Sequence, residues 1–485
     1  MDQKRLLTGI PELDVVLRGG LLAGRIHLVE GLPGTGKTTF GLRFLIDGAE
    51  RGETSLYITL SETKPELQAT ARSHDWSLEG IEIEEMIPAE AQIEVQQTVL
   101  FPDGVELNAT ITAISALIIK HRPVRVVIDS MAELRLLATD AASYRRQIIA
   151  LRQFLLAQKC TVVLMDDLTS ETREHDLQGS VHGVISLEQT ERSFGSARRR
   201  LRVVKMRGAD FQSGWHDFAI VKTEVLVFPS LIADEHHAVY KREPVSSDVP
   251  ELDAILGGGL MRGTSTVIQG PTGVGKSSLA LQYAIAGARR GEHVAYFSFD
   301  ETLETLIDRA KGLNLDVKAP IEGGAIHWER VNPSRISPGE FIWKVRMQVE
   351  REMAKIVIID SLNSYLETIH EEDALMLQMH ELFTYLNHQG IVCVLVLGQA
   401  SGAAEAVDPL GVTLISDTVI LMHYFSHEGR VKKTIHVVKK RPGEHDCTVF
   451  EYLLSEHGVR IGKPVYDELP MVHGSPTTRL PGSPN

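Results

Sequence analysis

The sequence predicts an α/β protein built twice: two tandem domains, each a mainly parallel sheet flanked by helices. Three observations predict it. The chain repeats itself in register, it alternates short apolar runs with helical patterns, and each copy carries a glycine-rich loop between such a run and a helix. Residues 9–38, GIPELDVVLRGGLLAGRIHLVEGLPGTGKT, return as residues 248–277, DVPELDAILGGGLMRGTSTVIQGPTGVGKS. Pro11, Glu12, Leu13, Asp14, Gly20, Gly24, Gly31 and Lys37 recur at one constant offset as Pro250, Glu251, Leu252, Asp253, Gly259, Gly263, Gly270 and Lys276. The register holds through Arg51-Gly52-Glu53 and Arg290-Gly291-Glu292. A shorter middle in the second copy then sets Asp129-Ser130 against Asp360-Ser361, and Lys205-x-Arg207 against Lys439-x-Arg441. Such a repeat means two copies of one domain of roughly 230 residues. We expect domains at 1–233 and 241–465, a polar linker around 231–247 that contains Pro244, and a tail at 466–485. The tail is rich in Pro, Gly, Ser and Thr, a composition expected to be disordered.

The elements follow in order. RIHLVEG, SLYITLS, VRVVIDS and TVVLMDD are short, near-continuous apolar runs, the pattern of strands covered on both faces. TTFGLRFLIDGAERG and SYRRQIIALRQFLLAQ, between them, carry helical periodicity. TSTVIQG, HVAYFSF, KIVIIDS and IVCVLVL repeat the strands in the second copy. Late in the first copy RRRLRVVKMRG, HDFAIVK and EVLVF crowd together, which predicts an antiparallel extension of the sheet.

Composition bounds the function. The 485 residues allow either three ordinary domains or two large ones. A hydrophobic fraction of 43% and a charged fraction of 24% exclude a mostly disordered chain. The net charge of −14 argues against bulk attraction to nucleic acid or anionic membranes, though not against a local basic site. Three cysteines, with no C-x-x-C pair, exclude a disulfide framework and give no structural zinc site. Cys160 and Cys393 fall in apolar runs and are expected to be buried. The first residues lack an apolar signal core, and no stretch approaches the 18 apolar residues of a membrane helix, so we expect a cytoplasmic protein with no membrane association.

GLPGTGKT at 31–38 and GPTGVGKS at 270–277 both fit G-x-x-x-x-G-K-[ST], each after an apolar strand and before a helix. Glycines let backbone N–H groups turn toward phosphate oxygens, and the helix N-terminus adds positive potential. The predicted nucleotide-binding residues are Gly31, Gly34, Thr35, Gly36, Lys37, Thr38 and Thr39, and Gly270, Thr272, Gly273, Val274, Gly275, Lys276, Ser277 and Ser278. The lysines are expected to reach the β- and γ-phosphates of ATP, and Thr38 and Ser277 to ligate Mg²⁺. Asp129 and Asp360 end the apolar runs VRVVID and KIVIID, which suits a water-mediated magnesium contact; the other reading is a helix cap. Hydrolysis also needs a base for water. The tip of the second strand offers Glu62 after Ser61 in the first copy, and Asp300 and Glu301 in the second; a helix N-cap is the alternative. Lys205 with Arg207, and Lys439 with Arg441, share a strand face at i and i+2. Such a pair, far in sequence from its own phosphate loop, suits completion of a neighbouring subunit's site, or else a solvated basic strand or a nucleic-acid contact. The run Arg198-Arg199-Arg200-x-Arg202 reads as a solvated or interface face.

Together these features resemble the KaiC family of RecA-like P-loop ATPases over residues 4 to about 465. The resemblance rests on G-I-P-E-L-D before the first loop and its counterpart before the second, the carboxylate position after the second strand, Asp-Ser after the third, and K-M-R-G at 205–208. It implies tandem RecA-like domains, a double-ring homohexamer with ATP between adjacent subunits, and slow hydrolysis in the first ring. It also implies trans-acting Lys-x-Arg pairs and, in clock members, autophosphorylation of adjacent Ser and Thr in the second ring. Here the phosphoacceptor segment aligns with VTLISDTVILMHYF, so Thr413 stands at the Ser position and Leu414 at the Thr position. Thr413 and Ser416 are then the candidate phosphoacceptors. Ser61 replaces the first carboxylate of the first copy, and Pro442 the small residue after Arg441. The implied partners are copies of the same chain and a KaiB-like protein, a sensor kinase or a response regulator.

The leading expectation is therefore a hexameric Mg-dependent ATPase with Ser/Thr autokinase capacity in signalling or circadian timing. A RecA- or RadA-like DNA-dependent ATPase is the second; the negative charge, the tandem duplication and the missing zinc motif speak against it. A nucleotide-gated scaffold with negligible turnover is the third.

Overall fold

The computed structural model describes residues 4–86, 104–168, 176–191, 195–363, 372–398 and 412–465. The predicted tail at 466–485 lies outside them. The chain divides into two compact units, Met1–Ser230 and Leu231–Asn485.

Each unit is built on a nine-stranded sheet. In the first unit the order runs Ile81–Glu85, Ser55–Thr59, Arg125–Asp129, Thr161–Asp167, Ile26–Gly31, Gly183–Thr190, then Arg198–Met206, His216–Ile220 and Val225–Phe228. The pairings up to Gly183–Thr190 are parallel and the last three antiparallel, as the crowded strands predict. The second unit repeats the order with Ile326–Arg330, Val294–Ser298, Ile356–Asp360, Val392–Gly398, Thr264–Gly270, Thr418–His427, Arg430–Lys440, Phe450–Ser455 and Gly458–Pro464.

The central strands are apolar throughout because both their faces are covered. Successive side chains alternate between two cores. Leu28, Ile128 and Leu164 pack on one face with Ile148 and Leu151 of the helix Ala141–Gln158. Val29, Val127 and Val163 pack on the other with Leu42 and Leu45 of the helix Lys37–Glu50. Cys160 and Cys393 are buried, as their apolar settings predict.

The P-E-L-D repeat is a short helix in each unit, Pro11–Val16 and Pro250–Ile255, begun by proline at a position that needs no N–H partner. Its aspartate turns back to the preceding segment. Asp14 accepts from the Thr8 backbone N and hydroxyl at 2.9 Å each, and Asp253 accepts likewise from Ser247 at 2.8 Å each. Burial raises the Asp14 pKa to about 6.

The segment 231–247 was expected to be a linker from its polarity. Its first part packs on the second unit instead. Leu231 and Ala233 enter the core around Tyr385 and Leu386, and Ala233 N donates to Glu381 Oε2 at 2.9 Å. The ring of His236 meets Tyr385 edge-on at 5.3 Å. Two apolar side chains among polar ones suffice to anchor it.

Candidate functional site

Each phosphate loop joins a buried strand to a helix at the sheet's centre. Ile26–Gly31 leads through the loop into Lys37–Glu50, and Thr264–Gly270 into Lys276–Arg289. The residue before each lysine must be glycine. Gly36 and Gly275 have φ of 104° and 114°, and a Cβ on Gly36 would stand 2.6 Å from Ile220 Cδ1. A cavity of about 490 Å³ opens over the first loop, lined among others by Lys37, Thr38, Ser61, Glu62, Asp129 and Asp167. One of about 960 Å³ opens over the second, lined among others by Lys276, Ser277, Asp300, Glu301, Arg309 and Asp360.

The hydroxyl and the carboxylate expected to act together do meet. Thr38 Oγ1 donates to Asp129 Oδ2 at 3.2 Å, and Ser277 Oγ to Asp360 Oδ1 at 3.0 Å. Asp129 is not a helix cap: the helix Met131–Leu136 begins after Ser130, with no side-chain cap. A buried tyrosine fixes each carboxylate. Tyr57 OH donates to Asp129 Oδ2, and Tyr296 OH to Asp360 Oδ2, both at 2.6 Å. Burial raises the pKa of both aspartates. The donor set, a hydroxyl beside a carboxylate at the phosphate loop, is all oxygen and fits magnesium.

The strand-tip carboxylates differ between units. Glu62 is half-buried, lines its cavity and has no ion pair among the described residues. Burial, then the charge of Asp129, pushes its pKa up. Its turn is held by Thr59, whose hydroxyl donates to Glu62 O at 2.6 Å. Glu301 sits on the same kind of turn, held by Ser298. Its carboxylate, however, is gripped by Arg309 through Nε at 3.0 Å and Nη2 at 2.6 Å. Arg309 Nη1 also donates to Ser278 Oγ at 3.3 Å. Asp300 accepts from Ser361 Oγ at 2.8 Å.

The lysines differ too. Lys37 donates to the carbonyls of Gly31 and Leu32 at 2.9 and 3.1 Å and is ion-paired with Asp167. Lys276 donates to the carbonyls of Gly270 and Pro271 at 2.8 and 2.9 Å, and burial lowers its pKa.

The Lys-x-Arg pairs stand apart from these cavities. Lys205 donates to Gln178 O, and Arg207 Nη2 to Gly179 O at 2.9 Å, so both cations reach the same short helix, Asp176–Ser180. In each unit a bulge falls just before the pair, at the register shifts between Val184 and Ile185 and between Val419 and Ile420. Burial lowers the pKa of Lys205 and of Lys439, and Arg441 lies 3.7 Å from Asp417.

The arginine run is only partly solvated: Arg202 is exposed, whereas Arg198, Arg199 and Arg200 are half-buried. Arg200 pairs with Glu188, directly opposite it in the antiparallel register, and Arg198 pairs diagonally with Asp217, which stands opposite Arg200; Arg200 and Arg202 each lie 4.7 Å from the Trp215 ring. Arg199 lines the first cavity. Ser416 is fully buried, its hydroxyl donating to Val412 O. Thr413 lies in the short helix Val412–Ile415, and its side chain is outside the described residues.

Sequence reasoning missed Tyr57, Tyr296, Asp167 and Arg309. The tyrosines recur in register, in LYITLSE and AYFSFDE, so the repeat carried their signal. Asp167 and Arg309 break the repeat. Their counterparts are Gly398, by strand register, and Thr70, by the constant offset, so comparing the copies for agreement passed over them.

A parallel sheet of this order, with a glycine loop, a lysine and a hydroxyl–aspartate pair at its centre, defines a RecA-like P-loop nucleotide-binding protein, here in tandem. The family model of the KaiC ATPase matches residues 6–232 and again 245–466, and the chain belongs to that family. It is 25% identical to the circadian clock protein KaiC3 of Synechocystis sp., over 98% of this chain and 94% of that protein. To the circadian clock oscillator protein KaiC of Synechococcus elongatus it is 26% identical, over 98% of this chain and 92% of that protein. To KaiC2 of Synechocystis sp. it is 26% identical, over 93% and 80%. Among the described residues no helix is long and apolar enough to cross a membrane.

Proposed function

We propose that the chain is a Mg-dependent ATPase whose first unit hydrolyses ATP, working in a homohexamer with nucleotide held between subunits. The observation that carries the reading is the first cavity, where a phosphate-loop lysine, a hydroxyl–aspartate pair and an unpaired carboxylate with a raised pKa converge. Lys37 and the loop N–H groups bind the phosphates, and Thr38 with Asp129 would hold the magnesium ion. Magnesium bound there neutralises charge on the phosphate oxygens. Glu62 orients the attacking water and takes its proton, and its raised pKa suits that work near neutral pH. Arg207 and Lys205 complete the neighbouring subunit's site.

A second reading applies to the second unit. The Arg309–Glu301 pair favours a unit that holds ATP for assembly, or for phosphoryl transfer to Thr413 or Ser416, over one that hydrolyses it quickly. Buried Ser416 accepts phosphate only after its helical turn opens. The names of the relatives, all circadian clock proteins, support a role in timing; the proposed partner, a KaiB-like protein, a sensor kinase or a response regulator, follows from the family resemblance alone. Lys37→Ala and Lys276→Ala each remove nucleotide binding from their own unit, measured by titration of the full chain with Mg-ATP. Unchanged affinity in the double variant overturns the assignment. Intact-mass analysis after incubation with Mg-ATP tests phosphorylation, with peptide mapping for position.

A further inference from the structure

The strand Thr161–Asp167 runs beside the phosphate-loop strand, with Asp167 directly opposite Gly31. In the second unit the same place, opposite Gly270, is Gly398. One unit therefore carries a carboxylate at the mouth of its phosphate loop where the other carries a hydrogen atom. Lys37 uses its three ammonium donors on Asp167, Gly31 O and Leu32 O. The ammonium is nearly enclosed, its side chain 9% exposed against 30% for Asp167. Asp166, the neighbouring carboxylate, is taken by Arg135 at 2.7 Å. Among the described residues Lys37 is thus the cation that answers Asp167, while Lys276 hydrogen-bonds two loop carbonyls and feels the charge of Asp360 without a direct ion pair.

We propose that Asp167 is an internal rival of the triphosphate for Lys37, making the first unit the weaker nucleotide site of the two. The inference rests on the reading of that cavity as an ATP site. When Lys37 turns to the β- and γ-phosphates, Asp167 loses its cation and is left beside oxygens of its own sign. Both effects oppose binding, and both act only on nucleotides long enough to reach Lys37. Asp167 is a specificity-determining residue in this sense: it penalises polyphosphate and is indifferent to the nucleoside.

The test uses the full chain with Lys276→Ala, so that the first site alone is read, and titrates it with Mg-ATP and separately with AMP. Asp167→Asn keeps the shape and removes the charge. ATP binding tightens roughly tenfold, the loss of one charge-assisted contact and one repulsion, and AMP binding stays the same. A structural role for Asp167 would move both nucleotides together. The reciprocal variant, Gly398→Asp with Lys37→Ala, weakens ATP at the second site by a similar factor. It fits sterically, since a Cβ at Gly398 comes no nearer than 3.4 Å to Asn363 Oδ1. Unchanged or weaker ATP binding by Asp167→Asn overturns the inference while leaving the ATP site intact. Absence of ATP binding by both Lys276→Ala and its Asp167→Asn derivative overturns the ATP site and the inference with it.

Discussion

Glu62 and Glu301 occupy the same place in two copies of one domain and meet different neighbours. Glu62 faces the cavity with its pKa raised, chiefly by burial. Its water-activating form is the carboxylate, so turnover falls as pH drops through that raised value, and the acid limb lies above the usual carboxylate range. Glu62→Gln lowers kcat by about 10²- to 10⁴-fold and leaves the affinity for Mg-ATP near that of the parent. Loss of affinity in place of kcat would mean a binding role. Glu301 is held by a two-point contact to Arg309, and slow turnover of the second unit in the Lys37→Ala background is the expected outcome. Replacing Arg309 with Thr, the residue at the matching position of the first unit, frees the carboxylate. Phosphate release then rises roughly tenfold. A fall would mean that Arg309 serves the phosphates directly. That the glycines, lysines, hydroxyls and aspartates share one place was legible because their motif is tied to spacing in the chain. The Arg309 clamp was not, because it forms between the turn after one strand and the far end of the next helix, in one copy only.

At the scale of elements, the helix that leaves the first phosphate loop is tied to the strand that carries Asp129 by an almost fully buried cation. Arg125 donates to Asp47 at 2.9 Å, to Glu53 at 2.6 Å and to the carbonyls of Leu7 and Phe44, and lies over the Phe44 ring. The second unit replaces the cation and one of its partners with apolar residues, while Glu292, the counterpart of Glu53, pairs with Arg262 and Arg290 instead. Ile356 stands for Arg125 in the strand register, and Ala286 for Asp47 by the repeat offset. Removing one partner of a buried pair leaves an uncompensated charge, whereas replacing both with packed apolar groups is often neutral. Arg125→Ile therefore destabilises the first unit by about 3 kcal/mol, and Arg125→Ile with Asp47→Ala recovers most of it, within about 1 kcal/mol of the parent. Denaturant unfolding of the three variants checks this; an additive double variant would show that the charges do not depend on each other. The strands flanking this junction were legible as unbroken apolar runs. Ile81–Glu85, IEIEE, was not, because an edge strand alternates its few apolar residues with exposed acids. Gly183–Thr190 escaped notice for another reason: its polar second half conceals a buried first half.

The duplication sets up the whole molecule, and it was readable because a repeat of this length is a property of order in the chain. Whether copies complete one another, as proposed, is not, since that depends on surfaces that meet only on assembly. The Lys-x-Arg pairs bear on that question. Lys205 and Arg207 lie on a bulged strand and donate to carbonyls of Gln178 and Gly179, and neither lines the cavity of its own unit among the described residues. Carbonyl oxygens are weaker partners for a cation than phosphate oxygens. A neighbouring subunit that presents a triphosphate at this face can therefore draw both side chains across. Arg207→Ala then leaves nucleotide binding in place and slows hydrolysis at the first unit, by as much as about 10³-fold if it acts as arginine fingers do. The decisive form of the experiment mixes subunits. Arg207→Ala lacks the finger but keeps the phosphate loop, and Lys37→Ala keeps the finger but lacks the loop, so each alone is slow. In rings assembled from both, some sites take their lysine from one subunit and their arginine from the next, and phosphate release exceeds the sum of the separate preparations. A mixture no faster than that sum, with assembly of mixed rings verified by native mass spectrometry, would place the arginine's action within its own chain.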